Sequence, residues 1–508
     1  MKRRDFVKYA GGGIASLIVG SVMPSWISKN PLLATTTKLV QELNFTITDA
    51  VKDMVTHNSI NKAQCYFWFY KEKTFPAEVP GPHIFTTAGN TVKVTLTNSL
   101  DEPHAFYISG LVDSGPIRPG ETKTIEFTPQ TAGTYLYYDN LNAPVNRVMG
   151  LHGALVVMPS KAVSGHRFTP YSNPTPSVQQ LFDDFGSTEH FPGIAWEAGD
   201  DATHTPAFRQ YVWVLHEASS RLFEEVGKYT PGKDYPAAQF MKAFQFDRYR
   251  PDGLNKKPEF FTINGHSGWF AAHNPYITPN HRVGEPVVVR ILNAGLSMHS
   301  LHIHANHVYR IGVNGVVQEN PIWMDTLTVD PLEIYEWAVP FIRPPDVPNE
   351  RGIGLPDKPL MSIPNPRIVG STPHPVWPPT EELNIHLPDI GEKVGDYDLA
   401  VQLSPICYPM HDHSEASQSS QGGNYGLGMM SGLHFIGDRN TPGGVTTFPN
   451  APTYHGPVET GTAAGPEMGM DGSHTMTSNT TNTNARTQII NNPINTDPVK
   501  NEHQSHGN

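Results

Sequence analysis

The chain has 508 residues, 17% of them charged and 10% aromatic, with 47 Pro, 44 Gly, two Cys and a formal net charge of −12. The length allows two to four domains, and the Pro and Gly punctuation favours many short strands over long helices. The acidic balance excludes nucleic acid as a partner, because phosphate binding relies on clustered Lys and Arg, and two cysteines exclude both a disulfide framework and cysteine-rich zinc or iron–sulfur sites.

Residues 1–34 open the chain with Arg3 and Arg4 ahead of an apolar, Gly-rich run from Ala10 to Met23 that carries no acidic residue. A membrane span needs ~20 apolar residues, so this run is short for one. The segment resembles a twin-arginine export signal, which implies a periplasmic or exported protein; an uncleaved anchor is the alternative, and Ala34 is a weak cleavage candidate. Residues 35–160 then alternate apolar and polar positions in strand-length runs ("CYFWFY", "NTVKVTLTN", "GTYLYYDN", "GALVVMP"), the pattern of a β-sandwich. Residues 161–204 are rich in Pro, Ser, Gly and Asp and read as a linker. A second strand series fills 205–440, from "RQYVWVLHEAS" to "SGLHFIGD". It is interrupted by a partly helical insertion at 218–245 and a proline-pinned loop at 341–380. Residues 441–508 are Gly, Thr, Asn and Ser with little apolar surface, a composition that does not support a packed fold.

The stretch "HSLHIHANH", residues 299–307, holds four of the chain's 24 histidines. Side chains alternate faces along a strand, so His302 and His304 point the same way and Leu301 and Ile303 the other. His411 and His413 repeat the spacing, with Asp412 between them facing away. Two adjacent strands that each present such a pair converge four imidazoles on one point, and imidazole suits copper, zinc, iron and nickel. One such histidine is more often a surface or satisfied core residue; two H-x-H pairs in one sandwich favour a metal. Cys65 and Cys407 are free to form a single bridge.

With "HSLHIH" at 299–304, "MHDH" at 410–413 and "GMM" at 428–430, residues 40–440 resemble the multicopper oxidases, whose repeated domains are cupredoxins. The segments "TINGHSG", "VRILNAG" and "MDTLTVDP" frame the second domain as in that family, and "GTYLYYDN" with "GLHGALVVMP" resembles its first-domain strands. The resemblance implies an all-β chain of two cupredoxin-like Greek-key β-sandwich domains with loop and helical insertions, and copper as cofactor. It places the principal metal ligands at His302, His304, His411 and His413. It also implies a candidate second site at His299, Asp412, Met429 and Met430, because the family's blue-copper cysteine aligns with Asp412.

The departures from the family are in its ligands. All four first-domain histidines are replaced, by Tyr107, Ser109, Tyr138 and Asn140, and Ser417 stands where the blue site has its second imidazole. A three-copper cluster therefore loses half its ligands, and what remains is a reduced metal complement, with Tyr138, Asp139 or Asn140 near its open side. His104 is close to the lost first-domain motif, and His307 packs or hydrogen-bonds beyond the cluster. Whether the Cys407 thiolate reaches a metal is open.

The expected function is an exported, copper-binding oxidoreductase acting on a small molecule or a metal ion. Copper storage or delivery on the same scaffold is the alternative, and a purely structural role is opposed by the paired histidines. Two-domain relatives imply a trimer.

Overall fold

The computed structural model describes residues 40–57, 60–73, 78–185, 209–246, 256–282, 285–304, 306–341, 393–394, 397–398, 406–420 and 426–437. The expected export segment, most of the expected proline-pinned loop and the tail beyond 441 lie outside them.

In the first domain, strand Thr91–Asn98 buries Val92, Val94 and Leu96 and turns its threonines outward. Thr95 and Thr97 meet Thr124 and Thr122 of the neighbouring strand through hydroxyl contacts of 3.1 and 2.9 Å. That alternation makes one face of a sheet ordered Ile60–Glu72, Val40–His57, Thr91–Asn98, Thr122–Phe127. The facing sheet is ordered Ile84–Thr87, His152–Met158, Gly133–Tyr138, Tyr107–Ile108, Val112–Asp113. Aromatic side chains, Phe45, Tyr70, Phe106 and Tyr137 among them, fill the space between.

The second domain repeats this order strand for strand. Its first sheet runs Phe260–Ile263, Arg209–Ala218, Val287–Asn293, Ile334–Val339, with the hairpin Val308–Val313 and Val316–Met324 added at the edge. Its second runs Asn280–Arg282, Met430–Gly437, Ile406–Asp412, His299–Ile303, Thr326–Val329. Parallel pairs recur at matching places, Val40–His57 with Thr91–Asn98 and Arg209–Ala218 with Val287–Asn293. The fold is predominantly β, two sandwiches of paired sheets, as the alternating pattern predicts.

The repeat extends to single hydrogen bonds. Asn98 Nδ2 donates to the carbonyls of Glu102 and Ile117, at 2.7 and 2.9 Å. Asn293 Nδ2 donates likewise to Ser297 and Val329, at 2.8 and 3.1 Å. Six residues after each asparagine comes a histidine, His104 and His299. Pairing then aligns Tyr107 and Tyr138 with His302 and His411, since each couple sits directly opposite in its sheet.

A third apolar cluster lies between the domains, where Leu136, Ala154 and Val156 meet Val212, Val214 and Val288. At its side Arg290 Nη1 lies 2.7 Å from Glu336 Oε1, and both reach Thr134 of the first domain. Two sequence expectations change here. Within the expected 161–204 linker, Pro176–Phe185 is a helix; Val178, Leu181, Phe182 and Phe185 form an apolar stripe that docks on the interdomain cluster. The two cysteines do not bridge each other, for each lies in its own domain. The insertion after Ala218 is helical, at Ser220–Gly227 and Ala237–Met241, followed by a π-helical turn at Lys242–Phe246. Its Leu222, Phe223, Val226 and Phe240 enter the first domain's core rather than the second's, which ties the two sandwiches together.

Candidate metal centre

His302 sits directly opposite His411 in the antiparallel pairing of His299–Ile303 with Ile406–Asp412. The backbone N–H of His304 donates to the Pro409 carbonyl at 2.9 Å, and that of His413 to Ser300 at 2.7 Å, so the two H-x-H pairs lie side by side. Ring centroids are 5.0 Å apart for His302 and His304, 4.8 Å for His304 and His411, 4.8 Å for His411 and His413, and 4.9 Å for His302 and His413. The structure brings all four sequence-predicted imidazoles together. His411 is buried at the base of the group and His413 is exposed at its rim.

Three of the four rings make hydrogen-bonding contacts. His302 Nδ1 lies 2.9 Å from Thr326 Oγ1 and 3.2 Å from the Asp325 carbonyl, which leaves Nε2 to face the cluster. His411 Nδ1 lies 3.1 Å from the Asp412 carbonyl, with the Gln418 amide 3.3 Å away. His304 Nε2 lies 2.8 Å from His411 Nε2. Burial, and then the other rings of the cluster, hold His304 below the usual imidazole range; burial does the same for His411. Both are neutral at pH 7, the form that ligates metals.

Among the described residues no three His, Cys, Asp or Glu side chains already close on a common point. The donor set nevertheless fits a cation that accepts nitrogen ligands. Two nitrogens 2.8 Å apart subtend about 85° at a metal with bonds of about 2.0–2.1 Å, within the range of tetragonal coordination.

Behind the cluster, on the core face, lies a feature the sequence did not reveal. His299 is fully buried, with Nδ1 2.6 Å from Asp412 Oδ2 and Nε2 2.9 Å from Glu217 Oε1. Burial alone would push this imidazole down, but the hydrogen bonds and charges of Asp412 and Glu217 lift it to about 10. It is an imidazolium clasped by two carboxylates. Glu217 also accepts the N–H groups of Leu296 and Ser297, both at 2.9 Å. Gly295 is required beside it, since a Cβ there would lie 2.0 Å from the Glu217 carboxylate. Arg147 of the first domain closes the rim by donating to the carbonyls of Ala294 and Gly295 at 2.8 Å. The sequence signal for Glu217 was a carboxylate at the end of a strand that is apolar but for His216, "YVWVLHEA".

Of the candidate second site, the structure therefore joins His299 to Asp412 with both ring nitrogens taken by carboxylates. Met429 is buried in the second domain's core, and Met430 stands opposite His411 in the neighbouring strand. Tyr138 packs on the interdomain cluster and edge-on to Tyr107, with centroids 5.3 Å apart. Asn140 Nδ2 lies 3.4 Å from Asp113 Oδ2, and Asp139 Oδ2 lies 2.7 Å from His104 Nδ1. Asn140 and Asp139 thus make these contacts inside the first domain. His307 stacks on Trp323. Cys407 shares the strand face of His411 but lies four residues away, about 13 Å along the chain. Burial raises its thiol to about 12, so it is no thiolate at neutral pH.

Residues 70–162 match the family model "Multicopper oxidase". An L-ascorbate oxidase of Cucumis sativus is 37% identical over 101 residues, 17% of this chain and 17% of that enzyme. The multicopper oxidase mco of Staphylococcus epidermidis is 36% identical over 92 residues, 16% of this chain and 21% of that protein. The matched segments thus span a small part of these relatives' length. Among solved structures, a blue copper oxidase from Nitrosomonas europaea aligns over 78% of this chain and 86% of its own, at 16% identity and a TM-score of 0.46. Over part of its first domain the chain is thus similar to multicopper oxidases.

Proposed function

We propose that the protein is an exported oxidoreductase of the multicopper oxidase type with a reduced metal site, in which His302, His304, His411 and His413 hold one copper ion. The observation that carries this reading is the meeting of four imidazoles from two paired strands, each ring within 5.0 Å of two others. Copper is the cofactor the family implies, and zinc would suit the same nitrogen donors. Bound there, copper would supply a Lewis-acid and one-electron centre with room for an exchangeable ligand on the exposed side. The chain's own contribution is orientation: Thr326 and the Asp325 carbonyl fix His302, and the Asp412 carbonyl fixes His411. The N-terminal twin-arginine pattern supports periplasmic delivery, and the family resemblance supports a homotrimer. The substrate is a small molecule or a metal ion.

A second reading, copper storage or delivery without turnover, is favoured by one observation. The pocket behind the cluster contains carboxylates and an imidazolium where electron entry through a copper thiolate would need cysteine. Elemental analysis of protein exported by its own signal tests the metal site: His302→Ala with His411→Ala should drop copper to background while the fold persists. Full copper content in that variant would place the site elsewhere.

A further inference from the structure

We propose that Asp412 and Glu217, gripping His299 between them, are positioning residues that lock the two H-x-H strands in the alignment needed to bind metal. The inference rests on the four-histidine reading above and concerns what holds those rings in place.

Asp412 lies between His411 and His413 and turns its carboxylate to the opposite, buried face. Its Oδ1 accepts the N–H of Ser300 at 2.7 Å and that of Ser414 at 2.9 Å, while Oδ2 meets His299. The bonds to Ser300 and His299 tie the strand carrying one histidine pair to the strand carrying the other, while the bond to Ser414 fixes the carboxylate on its own segment. His302 is three positions along the strand from His299, so the clasp sits about 10 Å from the cluster along the chain. Glu217 fixes the far side of the His299 ring and is itself held by two backbone N–H groups of the Leu296–Ser297 turn. A slip of one residue between the strands would turn every histidine to the other face. A buried, charge-assisted bond between the strands opposes that slip more strongly than ladder bonds alone.

The first domain supplies an internal control. There His104 and Asp139 form the same buried bond, and Asp139 accepts the N–H of Leu141, two residues on, at 2.9 Å, as Asp412 accepts that of Ser414. The neighbouring positions are Tyr107, Ser109, Tyr138 and Asn140, which present no imidazole. Asn146 Nδ2 donates to Asp139 at 2.9 Å on the Nδ1 side of the His104 ring, whereas in the second domain Glu217 meets the far nitrogen, Nε2, of His299. The pair is thus a shared part of both sandwiches, and only in the second domain does it stand behind metal-ligating side chains.

The test uses full-length protein and copper(II) alone, with affinity measured by chelator competition and the site monitored by electron paramagnetic resonance. Asp412→Asn should weaken copper(II) binding by about 10- to 100-fold, the usual cost of losing an outer-shell partner, and should alter the hyperfine pattern. Asp139→Asn, the same change in the first domain, should leave both unchanged even if it lowers thermal stability. Should Asp412→Asn not fold, Glu217→Gln carries the test, with a loss of about tenfold expected. Wild-type affinity and spectrum in every clasp variant that folds, or an equal loss in Asp139→Asn, would overturn the proposal. If His302→Ala with His411→Ala binds copper as the wild type does, it is the four-histidine reading that fails instead.

Discussion

His304 Nε2 lies 2.8 Å from His411 Nε2, a contact between two neutral imidazoles that belong to separate strands. One ring must donate its only N–H to the other, and a metal that takes both lone pairs replaces this single weak bond with two strong ones. Copper(II) should therefore stabilise the fold by mass action, by about 2.7 kcal/mol at a free concentration about a hundred times Kd. A chelator should reverse the gain, and His302→Ala with His411→Ala should show none of it. Thermal unfolding with and without copper decides the matter. An equal shift in that double variant would count against the cluster.

The interdomain network gives a prediction independent of metal. Arg290 is fully buried and pairs with Glu336, which also accepts a hydrogen bond from Tyr171 at 2.5 Å and from Thr134 across the domain boundary. Removing one partner of such a pair leaves a buried charge uncompensated, typically at a cost of about 3–5 kcal/mol. Glu336→Ala should lower stability by that amount, and the two sandwiches should begin to unfold as separate transitions in calorimetry. A loss under about 1 kcal/mol would mean that the network is solvated, contrary to its burial.

Much of this arrangement was legible in the chain because it is local. Strand parity alone placed His302 with His304 and His411 with His413, and one antiparallel pairing brought the couples together. The all-β class followed from alternation in runs such as "TVKVTLTN". What stayed hidden depends on distant pairing. Glu217 is 82 residues from His299 and arrives only because Arg209–Ala218 runs parallel to Val287–Asn293. His104 and Asp139 are 35 residues apart and meet because Tyr107–Ile108 pairs antiparallel with Gly133–Tyr138. The helix Pro176–Phe185 was masked by the Pro- and Ser-rich composition around it, although its apolar residues recur at helical spacing. Composition describes a stretch on average, whereas docking needs only four well-placed side chains.

Acid should destabilise the domain interface. His216 is buried, its Nε2 2.7 Å from the Val148 carbonyl, and its ring centroid is 4.6 Å from that of buried His152. Burial pushes His216 down to about 4 from an ordinary value of 6.5. Between those values the unfolded chain takes up a proton that the folded chain refuses, so stability is full above pH 6.5 and falls as the pH drops towards 4. The loss reaches about 3 kcal/mol for this one group. In metal-free protein, His216→Gln should lose less stability than wild type between pH 7 and pH 5. Identical losses in the two proteins would show that His216 charges freely in the fold.

The last prediction concerns colour. Intense blue absorption in cupredoxins comes from charge transfer between a cysteine thiolate and copper(II) held by two histidines. Here the residue facing His299 is Asp412, a hard oxygen ligand, and it is already bonded to that ring at 2.6 Å. Cys407 lies about 13 Å along the strand from His411, and burial keeps its thiol protonated. Met429, in the core, and Met430, opposite His411, offer at most a weak thioether. Copper-loaded, oxidised protein should accordingly show only weak ligand-field bands and an ordinary, not narrowed, hyperfine splitting. Asp412→Cys alone should not turn it blue. The variant would place a thiolate beside His299, but Ser417 supplies no second imidazole, and Glu217 would still occupy the far nitrogen of the ring. An intense blue band in the unmodified protein would mean that Cys407 reaches a copper ion after all. That outcome would restore a thiolate route for electron entry and remove the observation that favours storage over turnover.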